Sequence, residues 1–151
     1  MSVVTISGSD TLILNDKVFN DFADGDVSTL TFPNDLTSMK TGKNKNTIYA
    51  KNETGNNAQL VLRLVRGSAD DIFLQESLSS LNRDFASFQL INGSFVKRLG
   101  DGNANIKNDV YLLSGGIFAR NVDSKENVEG DTEQAVVVYT INFADANRGI
   151  E

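Results

Sequence analysis

The stretch Asn57–Arg66, NAQLVLRLVR, decides the fold class because apolar side chains occupy every second position along it. Successive side chains of a β-strand point to opposite faces of the sheet, so alternate positions share a face. The wholly apolar set, which we expect to face the core, is Ala58, Leu60, Leu62 and Leu64. The opposite set is Gln59, Val61, Arg63 and Val65. The stretch is therefore predicted to be a β-strand with one buried face.

A second stretch, Gln134–Phe143, shows the same period but a less polar second face. Its apolar set is Ala135, Val137, Tyr139, Ile141 and Phe143. Its other set is Gln134, Val136, Val138, Thr140 and Asn142, which is only half polar. A strand with one apolar and one mixed face predicts that the mixed face is also covered, either by a helix or by another subunit.

Strand-forming runs recur along the whole chain at intervals of roughly ten positions, a spacing typical of sandwiches and barrels. We expect a mainly β fold, a small β-sandwich or barrel with one flanking α-helix, in a single domain over residues 1–151. The predicted strands are Val3–Ile6, Thr11–Phe19, Asp26–Phe32, Thr47–Lys51, Ala58–Arg66, Phe88–Ile91, Phe95–Leu99, Asp109–Arg120 and Gln134–Phe143.

Glycine-containing pairs mark the turns between these runs. Asn92-Gly93 predicts a tight hairpin, because a type I′ turn needs positive φ at both central residues. Asp101-Gly102 predicts a further break. Gly115-Gly116 lies inside an apolar run, where a bulge or a close backbone approach is expected.

One helix is predicted over Ala69–Asn82. Ser68 can cap its first turn, and Asp70 and Asp71 favour the positive end of the helix dipole. Apolar residues recur at a spacing of three to four positions, which predicts a single stripe packed on the sheet. The stripe is Leu74, Leu78, Leu81 and Phe85.

Two stretches are predicted to be irregular surface loops. Asp123–Glu133 is acidic and poor in strand formers, and Pro33–Asn46 is long and polar. The second carries Lys40, Lys43 and Lys45 on a chain of net charge -6. These lysines could bind phosphate, but on an acidic subunit we favour contact with an acidic surface of another copy.

The chain contains no histidine and no cysteine, which removes the commonest general base, nucleophile and metal ligands. We therefore expect no enzyme, no cofactor and no metal site. Asp21–Asp26 resembles part of a calcium loop, but the twelfth position from Asp21 is Phe32 rather than the required acid. The net charge of -6 and the pI of about 4.6 disfavour nucleic-acid binding. The sequence also predicts neither a signal peptide nor a membrane anchor.

The order of these elements resembles the tail tube proteins of contractile-tailed bacteriophages and phage-tail-like particles. FADGDVSTLTF (22–32) precedes the polar loop with Gly42, and NTIYAKNETGNNAQLVLRLVRGS (46–68) leads into the capped helix ADDIFLQESLSSL (69–81). The strand AVVVYTINFA (135–144) closes the pattern. The resemblance is best over about the first half of the chain.

This resemblance implies a structural protein whose homohexameric rings share one inner β-barrel and stack into a tube. The tube would lie inside a contractile sheath and carry DNA during ejection, or puncture an envelope. Its partners would be copies of itself and the sheath, tape measure and baseplate proteins, with DNA as cargo. The particle would assemble in the host bacterial cytoplasm and the protein would be part of the virion tail. Lysines 40, 43 and 45 would then contact the next ring.

Alternate residues line a closed barrel, and the polar or small members of the long strands are candidates for the lumen. These candidates are Gln59, Arg63, Thr140 and Asn142. Two alternatives remain open. A type VI-like secretion tube is physically the same machine with another cargo. A carbohydrate-binding β-sandwich is disfavoured, because such modules present exposed aromatic residues and this chain has no tryptophan and three tyrosines.

Overall fold

The computed structural model describes residues 2–23, 27–124, 126, 128 and 132–151. The described chain is mainly β with one helix, as predicted. The strands are β1 (Thr5–Leu14), β2 (Lys17–Phe19), β3 (Ser28–Thr31), β4 (Thr37–Thr41), β5 (Thr47–Lys51), β6 (Ala58–Val65), β7 (Ile91–Gly100), β8 (Ile106–Phe118), β9 (Asp123–Ser124) and β10 (Val136–Ile150). The helix α1 is Ala69–Arg83, and short 3-10 turns cover Lys43–Lys45 and Thr132–Ala135. No helix of the described residues is long and apolar enough to cross a membrane.

The main sheet is antiparallel, with the strand order β2-β1-β7-β8-β10-β6-β3 and β9 paired to β10. It curls like half a barrel. Both period-two predictions are confirmed within β6 and β10, because Ala58, Leu60, Leu62 and Leu64 and then Val137, Tyr139, Ile141 and Phe143 are buried in one core. Leu62, Leu64 and Ile141 are fully buried there, and Leu12, Leu14 and Phe19 join them from β1 and β2. The prediction for Ala135 is wrong, because this residue lies in the 3-10 turn before β10 and is exposed.

Helix α1 covers the core face of the sheet. Leu74 and Leu78 are buried in the core cluster, and Leu81 packs against it. The Tyr139 hydroxyl donates to Asp71 Oδ1 at 2.6 Å, which ties the helix to the core-facing side of β10. Burial and this bond both raise the pKa of Tyr139. Since the helix lies on the core face, it does not cover the mixed face of β10.

The predicted cap of α1 is confirmed. Ser68 Oγ accepts from the Asp71 N–H at 3.3 Å, and Asp71 Oδ2 accepts from the Gly67 N–H at 2.8 Å. The helix ends at Arg83, one residue beyond the predicted end. The prediction that Phe85 belongs to the apolar stripe is wrong. Asp84 has extended backbone angles and ends the helix, so Phe85 leaves the helical phase and is 72% exposed.

The prediction of a hairpin at Asn92-Gly93 is wrong, because both residues lie inside the continuous strand β7. Glycine is required there for close packing rather than for a turn, since a Cβ on Gly93 would collide with the Ile13 carbonyl oxygen of β1. The actual β7–β8 turn is the predicted break at Asp101-Gly102, where Gly102 has φ +84°. Asp101 Oδ1 closes it by accepting from the Asn103 N–H at 2.8 Å.

The predicted irregularity at Gly115-Gly116 is confirmed as a bulge. The β7–β8 register shifts between Ile91 and Gly93, and Gly115 has φ +67°. Asn92 Oδ1 accepts from the Gly115 N–H at 3.0 Å, which satisfies a backbone donor that the shift removes from the ladder.

The prediction that Pro33–Asn46 is an irregular loop is wrong for the middle of this segment. Thr37–Thr41 forms β4 and pairs with β5 in a separate two-stranded sheet. A tight turn makes this possible, with Asn44 and Lys45 at φ 66° and 64° and the Gly42 N–H bonded to the Asn46 carbonyl at 2.8 Å. The polar threonines of β4 hide its strand character from a hydrophobic pattern, because neither face is buried.

Other boundaries differ by a few residues. The predicted strand Thr11–Phe19 is broken by the turn Asn15-Asp16, and its first part joins Thr5 and Ile6 of the predicted strand Val3–Ile6 in the single strand β1, which excludes Val3 and Val4. The strand predicted over Gln134–Phe143 continues to Ile150. The predicted loop Asp123–Glu133 contains β9, and its residues 125, 127 and 129–131 lie outside the described residues, as do residues 24–26.

Candidate assembly surfaces

Four strands continue outward from the core as a smaller sheet, which we call the wing, and its inner end still reaches the core through Leu113 and Ala146. The wing consists of Thr5–Thr11 of β1, Gly93–Gly100 of β7, Ile106–Leu113 of β8 and Ala144–Ile150 of β10. These strands pair in the order β1-β7-β8-β10, and every pair is antiparallel.

Both outer edges of the wing lack a partner strand in the part of the chain that the structure describes. Strand β2 covers β1 only from Leu12 onward, and β6 covers β10 only as far as Phe143. The Ala146 N–H donates to the Asn56 carbonyl at 2.9 Å, after which the β10 edge is open. Glu151 exchanges both backbone bonds with Asn108 of β8. The alternation of an antiparallel ladder therefore points the backbone groups of Ile150 toward the open edge.

The core-side face of the wing carries a row of charged side chains that alternate in sign from strand to strand. Asp10 of β1 pairs with Lys97 of β7 at 3.1 Å, and Asp109 of β8 accepts two bonds from Arg148 of β10 at 2.8 and 2.9 Å. The side-chain bond from Arg148 holds the pKa of Asp109 below its usual range. The guanidinium group also lies 5.8 Å from the ring of Tyr111. These contacts fix the row across the wing.

The opposite face of the wing is mixed, because apolar side chains alternate there with polar ones such as Arg98 and Asn108, and the described residues of the chain leave it uncovered. Leu112 and Ile106 of β8 are 58% and 55% exposed, and Val96 and Val110 are half-buried between them.

The four predicted lumen residues lie together on the mixed face of β6 and β10, outside the wing. Gln59 Nε2 donates to Asn142 Oδ1 at 3.2 Å, and Arg63 lies opposite Val138 in the ladder. Thr140 lies opposite Val61 and is buried at 4% exposure. The structure therefore brings these residues onto one surface, and a role in lining a channel stays a prediction.

Strands β4 and β5 and the turn between them form a segment that we call the hairpin arm (Thr37–Lys51). Lys40 lies on β4, and Lys43 and Lys45 lie in the turn. Every residue of its two strands is exposed. Met39 lies opposite Tyr49 on one face, at 64% and 71% exposure, and Lys40 lies opposite Ile48 on the other. At its base the Asn52 N–H donates to the Leu36 carbonyl at 2.8 Å. The arm combines basic and apolar side chains and packs neither face into the core.

The charged row of the wing and its open edges are not predicted by the sequence. The residues Asp10, Lys97, Asp109 and Arg148 are far apart in the chain, and only the strand register brings them together. Local composition gave no signal, because residues 144–149 of β10 are ADANRG, which are poor strand formers. Among the described residues, no group of three or more acidic side chains is arranged to hold a metal ion.

Comparison with known proteins finds a distant structural likeness. No family model matches the chain, and no curated protein matches it. Among solved structures, the chain is similar to a chain of the anti-feeding prophage (AFP) baseplate, determined by cryo-EM with 6-fold symmetrisation. The TM-score is 0.44 at 14% identity, over 94% of this chain and 90% of that chain. A likeness at this level assigns no function.

Proposed function

We propose that this protein is a structural subunit that assembles through the edges of its wing into closed rings, and that the rings stack into the tail tube of a contractile-tailed phage or phage-tail-like particle. The observation that carries the proposal is the pair of open edges on β1 and β10. Its second support is the sequence resemblance to tail tube proteins.

Strand direction favours a ring. Four antiparallel strands are an even number, so β1 and β10 run in opposite directions. The β10 edge of one copy can therefore pair antiparallel with the β1 edge of the next, and so on around the circle. Such head-to-tail contacts either close into a ring or continue as an open filament. Closure leaves no open edge, which removes the risk of uncontrolled edge-to-edge aggregation.

The resemblance implies a homohexamer, and strand spacing then sets the size of the ring. Six wings contribute 24 strands, and at about 4.8 Å per strand the untilted circle measures about 37 Å across at the backbone. Tilted strands would widen it. The charge of -6 suits a channel through which DNA passes as cargo rather than as a ligand.

The hairpin arm supplies a means of stacking. An isolated two-stranded hairpin is marginally stable in water, so a neighbouring surface would stabilise it. Met39, Tyr49 and Ile48 provide apolar area, and Lys40, Lys43 and Lys45 provide positive charge for an acidic copy of the same subunit. The sheath, tape measure and baseplate proteins would be the other partners. A type VI-like secretion tube would use the same surfaces.

Negative-stain electron microscopy of the purified protein over a range of concentrations tests this proposal. We expect annular particles that lengthen into tubes as the concentration rises. A protein that stays monomeric at every concentration and salt condition, also with a tail initiator complex added, would contradict it.

A further inference from the structure

We propose that Arg148 of one copy and Asp10 of the next copy form an ion pair across the ring interface and thereby select the head-to-tail partner edge. The inference rests on the proposed function, because it names the residues that join one wing to another. Within one subunit the row already reads negative, positive, negative, positive through Asp10, Lys97, Asp109 and Arg148. Placing Arg148 beside the next Asp10 continues this alternation around the ring.

Both side chains retain hydrogen-bonding capacity for a second partner. Arg148 gives one N–H of Nε and one of Nη2 to Asp109, so three of the five guanidinium donors remain. Its side chain is 51% exposed. Within the part of the chain that the structure describes, the Asp10 carboxylate accepts from the Lys97 ammonium alone, although a carboxylate can accept about four bonds, and its side chain is 26% exposed. Neither existing pair has to break.

The strand geometry brings the two residues together in more than one register. Arg148 and Asp10 lie on the core-side face, so a pairing that keeps the faces aligned can shift only by two residues at a time. With Arg148 directly opposite Asp10, the side chains are in contact distance. A shift of two residues in either direction makes them diagonal neighbours, which long side chains still bridge. An odd shift would move Asp10 to the other face.

The same charges disfavour the wrong edge pairings. Two β1 edges joined to each other would bring copies of Asp10 together, and two β10 edges would bring copies of Arg148 together. Like charges directly across a strand pair are destabilising. The β1 edge therefore matches the β10 edge in charge, whereas neither edge matches a second copy of itself. This favours a growing ring over a closed two-fold dimer.

A charge-reversal cycle tests the pair. We would compare the parent protein with Asp10→Lys, Arg148→Glu and the double variant, measuring association by sedimentation velocity. Each single reversal should weaken association about tenfold or more, since it replaces attraction by repulsion. The double variant should recover most of that loss. If the double variant loses as much association as the two single variants together, the inference is overturned. Ring formation by the parent protein would in that case still support the proposed function.

The monomer provides the control for intrasubunit effects. Within one copy, β7 and β8 separate the two residues by about 14 Å, so their effects on the melting temperature of the dilute monomer should add. If the effects of the two substitutions are non-additive for association but additive for the stability of the monomer, the two residues are in contact between copies. Equal coupling in both measurements contradicts it.

A second experiment keeps all four charges and does not depend on the folding of the reversed variants. The chain contains no cysteine, so Thr11→Cys and Asn147→Cys, which flank the proposed pair, introduce the only two thiols. A short bismaleimide should then produce a ladder of covalent oligomers, whereas each single-cysteine variant should stop at a dimer or remain monomeric. Absence of a ladder beyond dimer from assembled protein would overturn the inference.

Discussion

At the scale of single residues, Asp70 shows how a sequence signal can identify a residue but not its full role. Two acids after Ser68 predict favourable charges at a helix N-terminus. In the structure Asp70 is only 2% exposed and its Oδ2 accepts from the N–H groups of Asn20 and Asp21 at 2.8 and 2.7 Å. Lys17 lies 3.4 Å from Oδ1. The residue joins the helix to the chain after β2, a contact between residues fifty positions apart that local patterns do not contain.

Replacing this carboxylate should be costly. Asp70→Ala leaves two backbone donors without an acceptor and Lys17 without its partner, and unsatisfied buried groups cost about 1–3 kcal/mol each. We expect a loss of about 3 kcal/mol in the free energy of unfolding, measured by urea denaturation of the monomer. Glu76→Ala, at an exposed position of the same helix, should change it by less than about 0.5 kcal/mol. Equal stability of the two variants would contradict the assigned role of Asp70.

Asp109 gives the wing a predictable response to acid. The side-chain bond from Arg148 lowers its pKa, so in the unfolded chain this carboxyl binds a proton at higher pH than in the folded one. Its stabilisation is present above the ordinary Asp pKa of about 3.9 and is lost as pH falls through the lowered folded value. Carbon-detected NMR titration of the carboxyl group should report a midpoint below that of exposed aspartates. Arg148→Gln should move the midpoint upward, and an unchanged midpoint would show that the pair is absent in solution.

At the scale of elements, hydrophobic periodicity correctly predicts the strands and the helix that bury one face in the core. It fails for a strand that buries neither face. The phases of β6, β10 and α1 are correct because Leu62, Ile141 and Leu78 each have a core to face. Strand β4 was missed because all its residues are exposed. Asn92-Gly93 was misread because a dipeptide does not reveal whether glycine serves a turn or a close approach between strands. The open wing edges follow from strand pairing and could not be predicted from local patterns.

The apolar stripe of α1 is tested by a matched pair of truncations. Leu78→Ala removes a side chain that is 98% buried and should cost about 2–5 kcal/mol, as buried leucine truncations do. Phe85→Ala removes a larger side chain that is 72% exposed and should cost less than about 0.5 kcal/mol. Differential scanning calorimetry of both variants measures the difference. A larger loss for Phe85→Ala would mean that the helix ends later than described.

The hairpin arm separates stacking from ring formation. Changing Lys40, Lys43 and Lys45 together to glutamine should leave the fold unchanged, because all three side chains are exposed. We expect rings to persist while tubes shorten and lose their salt dependence, since surface charge pairs are screened over about 8 Å at physiological ionic strength. Tube lengths in electron micrographs at two salt concentrations provide the measurement. Parent-like tubes from the glutamine variant would assign stacking to another surface.

At the scale of the whole molecule, the core serves folding and the wing is proposed to serve assembly. Helix α1 and the curled part of the sheet bury one core, and we expect this core to let the subunit fold alone. The wing leaves strand edges, a mixed face and a charged row uncovered by the described chain, and we expect all three to be used in an assembly. The sequence predicts the first task through its periodicity. It predicts the second only through resemblance, because edge exposure is a property of how the strands are ordered.

The most direct test of edge pairing is to block one edge without disturbing the subunit. In Ile150→Pro, the lost N–H is the one that points to the open edge of β10, and proline is tolerated where that group faces solvent. Ile150→Ala keeps the N–H and removes most of the side chain, so it is the matched control. We predict that electron microscopy reveals rings for the parent protein and Ile150→Ala, and only monomers for Ile150→Pro, with the circular dichroism spectrum unchanged. Normal rings from a folded Ile150→Pro variant would contradict assembly through this edge.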